Sequence, residues 1–415
     1  MLSLRPHQQR AFHAMQAQNA GQIIVPTGGG KTYIMIADAY KHLRDSGPQT
    51  IIVVAPRILL ANQLCEEFME QIHSSKVHVA HCHSGETTHF SSTKSDKIAL
   101  FANTARTAGE SCIIFTTYHS LGRVVDSGID IDTIYFDEAH NACGRSFFTA
   151  VYATAQYAKR RYYFTATPKT GRGVSVARGM NNTDVYGGVL ENVPAQELIA
   201  AGAIVPPKVV PFETNRIRTK HNAHDVDADN LKDMFEQLDV TQNPKVLVSA
   251  PSSKVLGDML GQTDILEYFK DQGYDVMHIT SKFGAIINGK KVGREVFFQT
   301  LQQWGADDTR HFVIFHYSIL SEGINVPGLT HTILLRNLPI VEMAQTIGRV
   351  IRVHKDDRAA VAEGRIPAGA FHLYKKKEGV VTMPTGYKMG NAIAQRLQNV
   401  VNSIFIEGRP PMAFC

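Results

Sequence analysis

Short apolar runs rich in β-branched residues alternate with longer amphipathic stretches along most of the chain. The amphipathic stretches that start at Lys31 and Arg57 have helical periodicity, and the first of them stops at Gly47 and Pro48. The apolar runs of the first part predict buried strands of a parallel sheet, at residues 22–25, 50–55, 112–116, 133–137 and 161–166. This alternation is typical of a doubly wound α/β domain, which binds its ligands at the carboxyl ends of the strands.

A second block of the same kind follows a helical stretch that ends at Pro206 and Pro207, a pair that breaks regular structure. Its apolar runs predict further strands, at residues 245–250, 275–280, 311–317, 331–336 and 368–374. We therefore expect a second α/β domain of similar design. The predicted divisions are an N-terminal domain at 1–200, a C-terminal domain at 201–385 and a helical tail at 386–415.

Composition adds little about function. With 44% hydrophobic and 20% charged residues the chain is typical of a soluble globular protein, and its net charge of +5 favours a polyanionic partner only mildly. The apolar runs are far shorter than the roughly 20 residues that span a bilayer, and the N-terminus lacks the apolar segment of a signal peptide. We therefore expect a protein with no membrane contact, in the cytoplasm of a bacterium or of a phage-infected cell.

The cysteines and histidines do not form a recognisable metal motif. The five cysteines include no C-x-x-C pair, which argues against a disulfide framework and against structural zinc. The grouping of His78, His81, Cys82 and His83 could bind a metal, but a second ligand pair is absent from the sequence. A strand followed by a loop is the favoured interpretation of this segment.

A phosphate-binding loop is predicted at "VPTGGGKT", residues 25–32, because it follows a strand and precedes a helix. Gly28, Gly29 and Gly30 allow successive backbone N–H groups to face phosphate oxygens. Lys31 would bring its charge to the β- and γ-phosphates, and the Thr32 hydroxyl would bind Mg²⁺. The generic pattern has glycine where Val25 stands. ATP and Mg²⁺ are the predicted cofactors.

The acidic pair in "IYFDEAH" supplies the second part of such a site. Asp137 follows an apolar run and could hold Mg²⁺ through water, and Glu138 could orient or deprotonate an attacking water. Acids at a helix N-terminus are favourable in any protein, so capping is the alternative role. The phosphate loop earlier in the chain favours the catalytic interpretation.

Together these residues resemble the superfamily 2 helicases and translocases, whose phosphate loop lacks the leading glycine. The family's other motifs occur in its order: "LRPHQ", "VVAPRILLANQ", "FTTYHSL", "DEAH", "FTATP", "VLVSAPSSK", "SILSEGINVPG" and "QTIGRVIR". The resemblance covers roughly residues 2 to 375. It implies two tandem RecA-like domains, each a mostly parallel sheet flanked by helices, with an ATP cleft between them. It also implies a nucleic-acid-dependent ATP hydrolase.

The resemblance assigns roles to residues outside the phosphate loop. Gln8 would read adenine, and ATP would also contact Arg5, Thr27 and Gly323. The residues implied to couple hydrolysis to the track are His140, Thr165, Thr167 and Asn325. The residues implied to contact nucleic acid are Pro56, Arg57, Thr116, Thr117, Tyr118, Ser249, Ser252, Ser321 and Glu322. Such contacts address the backbone rather than the bases, so they carry no sequence specificity.

In "QTIGRVIR", the helical spacing of Gln345, Arg349 and Arg352 predicts that they project from one face of a helix. All three are candidate catalytic residues. The resemblance implies that Arg352 is the arginine finger and that Arg349 also lies near the γ-phosphate. A solvated basic helix face is the alternative. The run Lys375 to Lys377 is expected to face solvent.

The predicted function is an ATP-dependent DNA helicase or translocase, with a nucleic-acid partner and no protein partner that the sequence specifies. Motif VI and "LRPHQQRAF" look closer to the RecG-like, XPB-like and phage UvsW-like remodellers than to DEAD-box RNA helicases. That branch implies action on branched or forked DNA with 3′ to 5′ polarity. The alternatives are an RNA helicase, a nucleic-acid-stimulated ATPase clamp that does not unwind, and, least favoured, a small-molecule kinase.

Overall fold

The computed structural model describes residues 3–280, 282–317, 326–386, 390–410 and 413–415. The chain forms two compact units, the first comprising Met1–Pro194 with Met412–Cys415 and the second comprising Ala195–Pro411. The division after Pro194 lies six residues before the predicted one, because the Gln196 amide donates to the carbonyl of Ile406 within the second unit. The predicted tail is likewise split between the two units rather than separate.

The first unit alternates helices and strands from its first residues onward. Its helices and strands are α1 (Pro6–Ala17), β1 (Ala20–Ile24), α2 (Lys31–Asp45), β2 (Thr50–Ala55), α3 (Ile58–Met69), β3 (Val77–Cys82), β4 (Phe90–Ser91), α4 (Ser95–Thr107), β5 (Ser111–Thr117), α5 (Leu121–Asp126), β6 (Thr133–Phe136), α6 (Arg145–Tyr157), β7 (Arg160–Thr165), β8 (Lys169–Thr170), α7 (Thr183–Tyr186) and β9 (Gly188–Asn192). Short 3₁₀ helices occupy Ala139–Asn141 and Gly173–Arg178.

The second unit repeats this alternation. Its helices and strands are α8 (Ala195–Ala200), β10 (Pro207–Glu213), α9 (Ala223–Glu236), β11 (Lys245–Ser249), α10 (Ser253–Gln262), α11 (Ile265–Asp271), β12 (Asp275–Thr280), β13 (Gly284–Ile287), β14 (Lys290–Val292), α12 (Arg294–Ala306), β15 (Phe312–His316), β16 (His331–Leu334), α13 (Ile340–Val350), α14 (Lys355–Ala362), β17 (Gly379–Thr385) and α15 (Gly390–Val401). Helical turns also occupy Val240–Gln242, Phe371–Leu373 and Asn402–Ile406, and β18 (Ala413–Phe414) returns to the first unit.

The sheet of the first unit has the order β4-β3-β5-β2-β6-β7-β1-β9, and every pair in it is parallel. Every residue of β2, β5 and β6 is buried, as expected for strands covered on both faces. The carboxyl ends of β1, β2, β5, β6 and β7 meet at one edge of this sheet. The loops that follow these strands therefore carry the candidate site.

The sheet of the second unit has the order β10-β17-β16-β11-β15-β12-β13-β14. Its first six strands pair in parallel, and β13 and β14 form an antiparallel edge. The two sheets confirm the predicted fold class of two tandem RecA-like domains. The strand predicted at 368–374 is wrong, since Gly369 adopts a φ of 78° and a 3₁₀ turn follows it. The sheet instead uses β17, whose alternating burial and Pro384 weaken its signal in the sequence.

The grouped histidines lie where β3 ends, in agreement with the strand-to-loop interpretation. His81 and His83 are buried, and their Nδ1 and Nε2 atoms are 2.9 Å apart. In the described parts of the chain, no helix is both long enough and apolar enough to cross a membrane.

A buried ion pair fastens α2 to the sheet of the first unit. Asp38 is fully buried and accepts two hydrogen bonds from Arg160, at 2.9 and 2.7 Å. Its oxygens also accept from the Gln16 amide and from the Tyr135 hydroxyl, each at 2.6 Å. Because α2 begins at Lys31, this network fixes the direction in which the helix leaves the phosphate loop.

We expect Asp38→Ala to lower the free energy of unfolding by about 3 to 5 kcal/mol, because it leaves the Arg160 guanidinium buried without its carboxylate. Asp45→Ala on the same helix should change stability little, since Asp45 pairs with Lys41 and Arg44 on the exposed surface. Urea unfolding followed by circular dichroism measures both changes. Equal effects of the two substitutions would contradict a structural role for the Asp38 network.

Candidate active site

The loop between β1 and α2 forms the turn that the sequence predicts. Gly28 and Gly30 have φ values of 89° and 80°, a backbone conformation that favours glycine. The Gly29 N–H donates to the carbonyl of Pro26 at 3.0 Å, and Val25 is bonded to the end of β7 through its N–H. Lys31 is the first residue of α2, so the loop lies at a helix N-terminus where anions are stabilised.

Helix α1 packs its Gln8 side chain against this loop. The Gln8 Nε2 donates to the carbonyls of Gly29 and Gly30 at 3.2 and 3.4 Å, and its Oε1 accepts from the Arg5 N–H at 2.9 Å. A Cβ on Gly30 would lie only 2.3 Å from that amide nitrogen. His7, which we did not single out in the sequence, is buried with Nε2 2.8 Å from the Gly29 oxygen. The structure thus brings Arg5 and Gln8 to the loop as expected, and their contacts with ATP stay predictions.

The acidic pair lies directly after β6. Glu138 has a φ of 44°, which is unusual for a residue with a side chain and is characteristic of strained functional positions. Its Oε1 is 3.5 Å from the Lys31 Nζ, and its Oε2 is 3.6 Å from the His140 Nδ1. The structure therefore joins the predicted loop and the predicted acids in one place, although Lys31 and Glu138 are far apart in sequence.

Burial raises the pKa of Asp137 to about 7, and the negative charge of Glu138 beside it adds to the effect. Two adjacent buried carboxylates are costly to ionise together, and a divalent cation would remove that cost. Oxygen donors are also what Mg²⁺ prefers. The donor set of Asp137 and Thr32 thus fits the predicted Mg²⁺, which would neutralise phosphate charge.

Three of the four predicted coupling residues, His140, Thr165 and Thr167, form a continuous polar path from Glu138 to the end of β7. The His140 Nδ1 lies 3.1 Å from the Thr165 hydroxyl and 3.3 Å from the Thr167 hydroxyl. The Thr167 N–H donates to the Thr165 hydroxyl at 3.0 Å, and all three side chains are buried. A shift at Glu138 can therefore reach the segment that follows β7 through direct contacts.

Three of the predicted nucleic-acid contacts are buried side chains of the first unit. The Thr116 hydroxyl donates to the Cys82 carbonyl at 2.9 Å, Thr117 is buried beside it, and the Tyr118 hydroxyl donates to the Asp137 carbonyl at 2.8 Å. The hydroxyls of Thr116 and Tyr118 thus bond carbonyls of the protein itself. Tyr118 supports the backbone of the acidic pair, a role that sequence reasoning missed.

Other predicted contacts differ in how they are placed. Pro56 is buried, whereas Arg57 is half-buried at the start of α3 and stays a candidate. Ser249 is fully buried, and its hydroxyl lies 3.1 Å from the His316 Nε2. Ser252 caps α10 by accepting from the Val255 N–H. The predicted residues outside the described part of the chain are Ser321, Glu322, Gly323 and Asn325.

Helix α13 carries Gln345 and Arg349, both buried in the second unit. Arg352 lies beyond the end of this helix, so the predicted single helix face is wrong for this residue. The physical reason is a tertiary contact, because the Val205 N–H donates to the Ile351 carbonyl at 2.8 Å and Ile204 forms a β-bridge with Arg352. The backbone of Arg352 is therefore extended rather than helical.

Lys376 fixes this extended segment from the inside of the second unit. Contrary to the predicted exposed lysine run, Lys376 is only 8% exposed. Its Nζ donates to the carbonyls of Leu329 at 2.5 Å and Arg352 at 2.8 Å. Burial lowers the pKa of Lys376 to about 7, and the nearby Arg352 charge adds to the effect. Lys376 thus ties the backbone of Arg352 to the segment that precedes β16.

We expect Lys376→Met to lower the free energy of unfolding by about 1 to 3 kcal/mol at neutral pH, because two buried carbonyls lose their donor. A folded pKa of about 7 lies below the unfolded value, so above neutral pH the unfolded state binds more protons and wild-type stability rises toward pH 9 or so. Methionine does not titrate, so the stability gap should widen over that interval. Urea unfolding across this pH range measures the gap, with exposed Lys377→Met as the control. A constant gap would contradict a neutral Lys376.

Residues 1–170 match a protein-family model described as the Type III restriction enzyme, res subunit. A search of curated proteins found no match to the sequence. The matched residues include the phosphate loop, the acidic pair and the polar path.

The fold of the whole chain is similar to solved structures of low sequence identity. The ATP-dependent Type ISP restriction-modification enzyme LlaBIII, bound to DNA, matches with a TM-score of 0.69 and 15% identity, covering 97% of this chain and 30% of that one. The related enzyme LlaGI, in complex with a DNA substrate mimic, matches with a TM-score of 0.65 and 18% identity, covering 97% and 29%. The chain therefore spans less than a third of these enzymes.

A variant of S. cerevisiae Dbp5, bound to RNA and ADP·BeF₃, matches with a TM-score of 0.55 and 15% identity, covering 100% of this chain and 94% of that one. At such identities these similarities establish the fold. The chain thus has the fold of two RecA-like domains in tandem.

Proposed function

We propose that this protein is an ATP-dependent nucleic-acid helicase or translocase that acts on DNA. The observation that carries the proposal is the connection in the first unit from Lys31 through Glu138 and His140 to Thr165 and Thr167. It joins a phosphate-binding loop to the end of a neighbouring strand, where a nucleic-acid contact could respond to hydrolysis. A small-molecule kinase has no need of this path.

Each residue of the site has a distinct proposed task. The backbone of the glycine loop and Lys31 hold the phosphates, and Thr32 and Asp137 hold Mg²⁺, which supplies charge neutralisation when bound. Glu138 takes a proton from the attacking water, and the contact with Lys31 keeps its carboxylate oriented. Arg349 and Arg352 stabilise the charge that develops on the transferred phosphoryl group. His140 transmits a structural change at Glu138 to Thr165 and Thr167 through its contacts with them.

DNA is the proposed track because motif VI and the first motif resemble those of DNA-directed remodellers. The fold does not choose by itself, since LlaBIII was solved bound to DNA and Dbp5 bound to RNA. Branched or forked DNA and 3′ to 5′ movement belong to the same proposal. Arg57, half-buried after β2, is a proposed contact with the backbone of the track.

The proposal is tested by the rate of ATP hydrolysis with no nucleic acid, single-stranded DNA, forked DNA, four-way junctions and RNA. We expect a low basal rate and strong stimulation by DNA, greatest for branched forms. Lys31→Ala serves as the control for contaminating ATPases. A rate that is indifferent to every nucleic acid would overturn the proposal, and stimulation by RNA alone would replace DNA with RNA.

Strand displacement separates a motor from a clamp. A motor converts hydrolysis into unwinding of a forked duplex, and the Lys31→Ala protein should show none. Hydrolysis that DNA stimulates without displacement or translocation along a single strand would identify an ATPase clamp.

A further inference from the structure

A pocket rich in positive charge lies in the first unit, away from the phosphate loop in sequence. It has a volume of about 460 Å³ and lies where the start of α6, strand β8 and the 3₁₀ turn Gly173–Arg178 meet β18. Four cations line it: Arg145, Lys169, Arg172 and Arg178. We call these four residues with their cavity the basic pocket.

No carboxylate side chain lines the basic pocket, and within the described structure none of its four cations forms an ion pair. This distinguishes them from Arg106, Arg160 and Arg218, each of which pairs with an aspartate. Cys415, the last residue of the sequence, also lines the pocket, but four cations outnumber its one carboxylate. The cations therefore repel each other on balance, and a bound anion lowers that cost. The basic pocket therefore has the electrostatics of an anion site.

Two of the arginines are held in place by contacts that leave their charge uncompensated. The Arg178 Nη1 donates to the Cys143 carbonyl at 2.7 Å, and the Arg172 guanidinium lies over the Phe414 ring at 3.8 Å from its centre. The backbone of Arg172 is also fixed, because its N–H and carbonyl both bond the Ser175 hydroxyl at 2.9 Å. Guanidinium groups that are preorganised in this way suit phosphate oxygens.

The rim of the basic pocket is apolar. Val174 is 99% exposed and Phe414 is 46% exposed, which is unusual for residues beside a cluster of cations. A free phosphate ion would gain nothing from these side chains. A nucleic-acid strand would, because its sugars and bases can pack on apolar and aromatic surfaces while its phosphates enter the pocket.

We propose that the basic pocket binds backbone phosphates of the nucleic-acid track, a site outside the helicase motifs. The inference rests on the proposed function and adds a contact that the motifs do not supply. Lys169 is two residues beyond Thr167, and Arg178 bonds the carbonyl of Cys143, three residues beyond His140. The pocket thus shares both of its supporting segments with the polar path from Glu138.

The test is the salt dependence of nucleic-acid binding, measured by fluorescence anisotropy without ATP. Each phosphate contact contributes about 0.9 to the slope of log affinity against log salt for duplex DNA and about 0.7 for single strands. The double variant Arg172→Ala/Arg178→Ala should lower the magnitude of that slope by the contribution of about two such contacts, on DNA and RNA alike. The matched control is Lys76→Ala/Lys97→Ala, which removes two exposed lysines of the same unit that lie outside the pocket.

Thermal unfolding checks that each variant is folded. If the double variant does not fold, the single variant Arg172→Gln replaces it, since Arg172 is exposed, and its slope should fall by the contribution of one contact. If a folded variant has the wild-type slope, the proposal that the basic pocket binds phosphates is overturned, while the proposed function is not. Equal losses in the variant and in the lysine control also overturn the proposal for the basic pocket, because any surface charge would then suffice. A wild-type protein that binds no nucleic acid overturns the proposed function as well.

Discussion

Glu138→Gln is expected to lower the rate of ATP hydrolysis by about 10² to 10⁴-fold while the affinity for ATP changes little. The amide keeps the shape of the carboxylate but accepts no proton from water. Its position is tightly defined, since Glu138 lies between Lys31 and His140 and its backbone carbonyl accepts from the Asn141 amide at 3.0 Å. The loss should therefore appear in kcat rather than in ATP binding.

Binding of a fluorescent ATP analogue and steady-state phosphate release measure the two quantities separately. Lys31→Ala should weaken both, because Lys31 contacts Glu138 and is proposed to hold the phosphates. Glu66→Gln, on the exposed face of α3, is the matched control and should leave both unchanged. If the Glu138→Gln protein hydrolysed ATP at the wild-type rate, Glu138 would not be a catalytic residue.

Arg352→Ala is expected to lower kcat by about 10³ to 10⁵-fold, the range measured for arginine fingers. The backbone of Arg352 is extended, and it is held in place by the β-bridge with Ile204 and by the side chain of Lys376. A lysine cannot reproduce the planar fork of a guanidinium, so Arg352→Lys should recover only part of the rate. Arg349→Ala should also lose activity, and in addition some stability, because Arg349 is buried.

Single-turnover hydrolysis, with the enzyme in saturating excess over ATP, measures the effect on the chemical step without interference from product release. Arg358→Ala provides the control, since Arg358 is exposed on the adjacent helix α14. An Arg352→Ala protein with normal kcat and weakened nucleic-acid binding would assign this arginine to the track instead.

The fold could be predicted from the sequence because fully buried parallel strands appear as continuous runs of apolar residues. The runs at Thr50–Ala55 and Ser111–Thr117 are buried at every position, and both were predicted with nearly these bounds. Strand β17 was missed, since buried and partly buried residues alternate along its first half and it contains a proline. A pattern that is weak along the chain becomes a strand only when neighbours on both sides supply hydrogen bonds, as β10 and β16 do.

The site was predictable where spacing along the chain encodes the geometry. The three glycines before Lys31 are such a case, and Glu138 after an apolar run is another. The sequence did not show that Thr116 and Tyr118 turn inward, because their partners are carbonyls that lie distant in sequence. The burial of Lys376 was missed for the same reason. A run of lysines predicts exposed side chains, and the two carbonyls that Lys376 bonds are distant in sequence.

The pairing of β18 with β8 has a consequence for dissecting the protein into fragments. The chain leaves the first unit after Pro194 and comes back to it at its end, where the Cys415 N–H donates to the Thr170 carbonyl. A fragment that stops at residue 194 would expose the edge of β8 and remove the ring beneath Arg172. Exposed strand edges recruit other chains. We therefore expect the isolated first unit to be more soluble when residues 413–415 are joined back to it through a short linker.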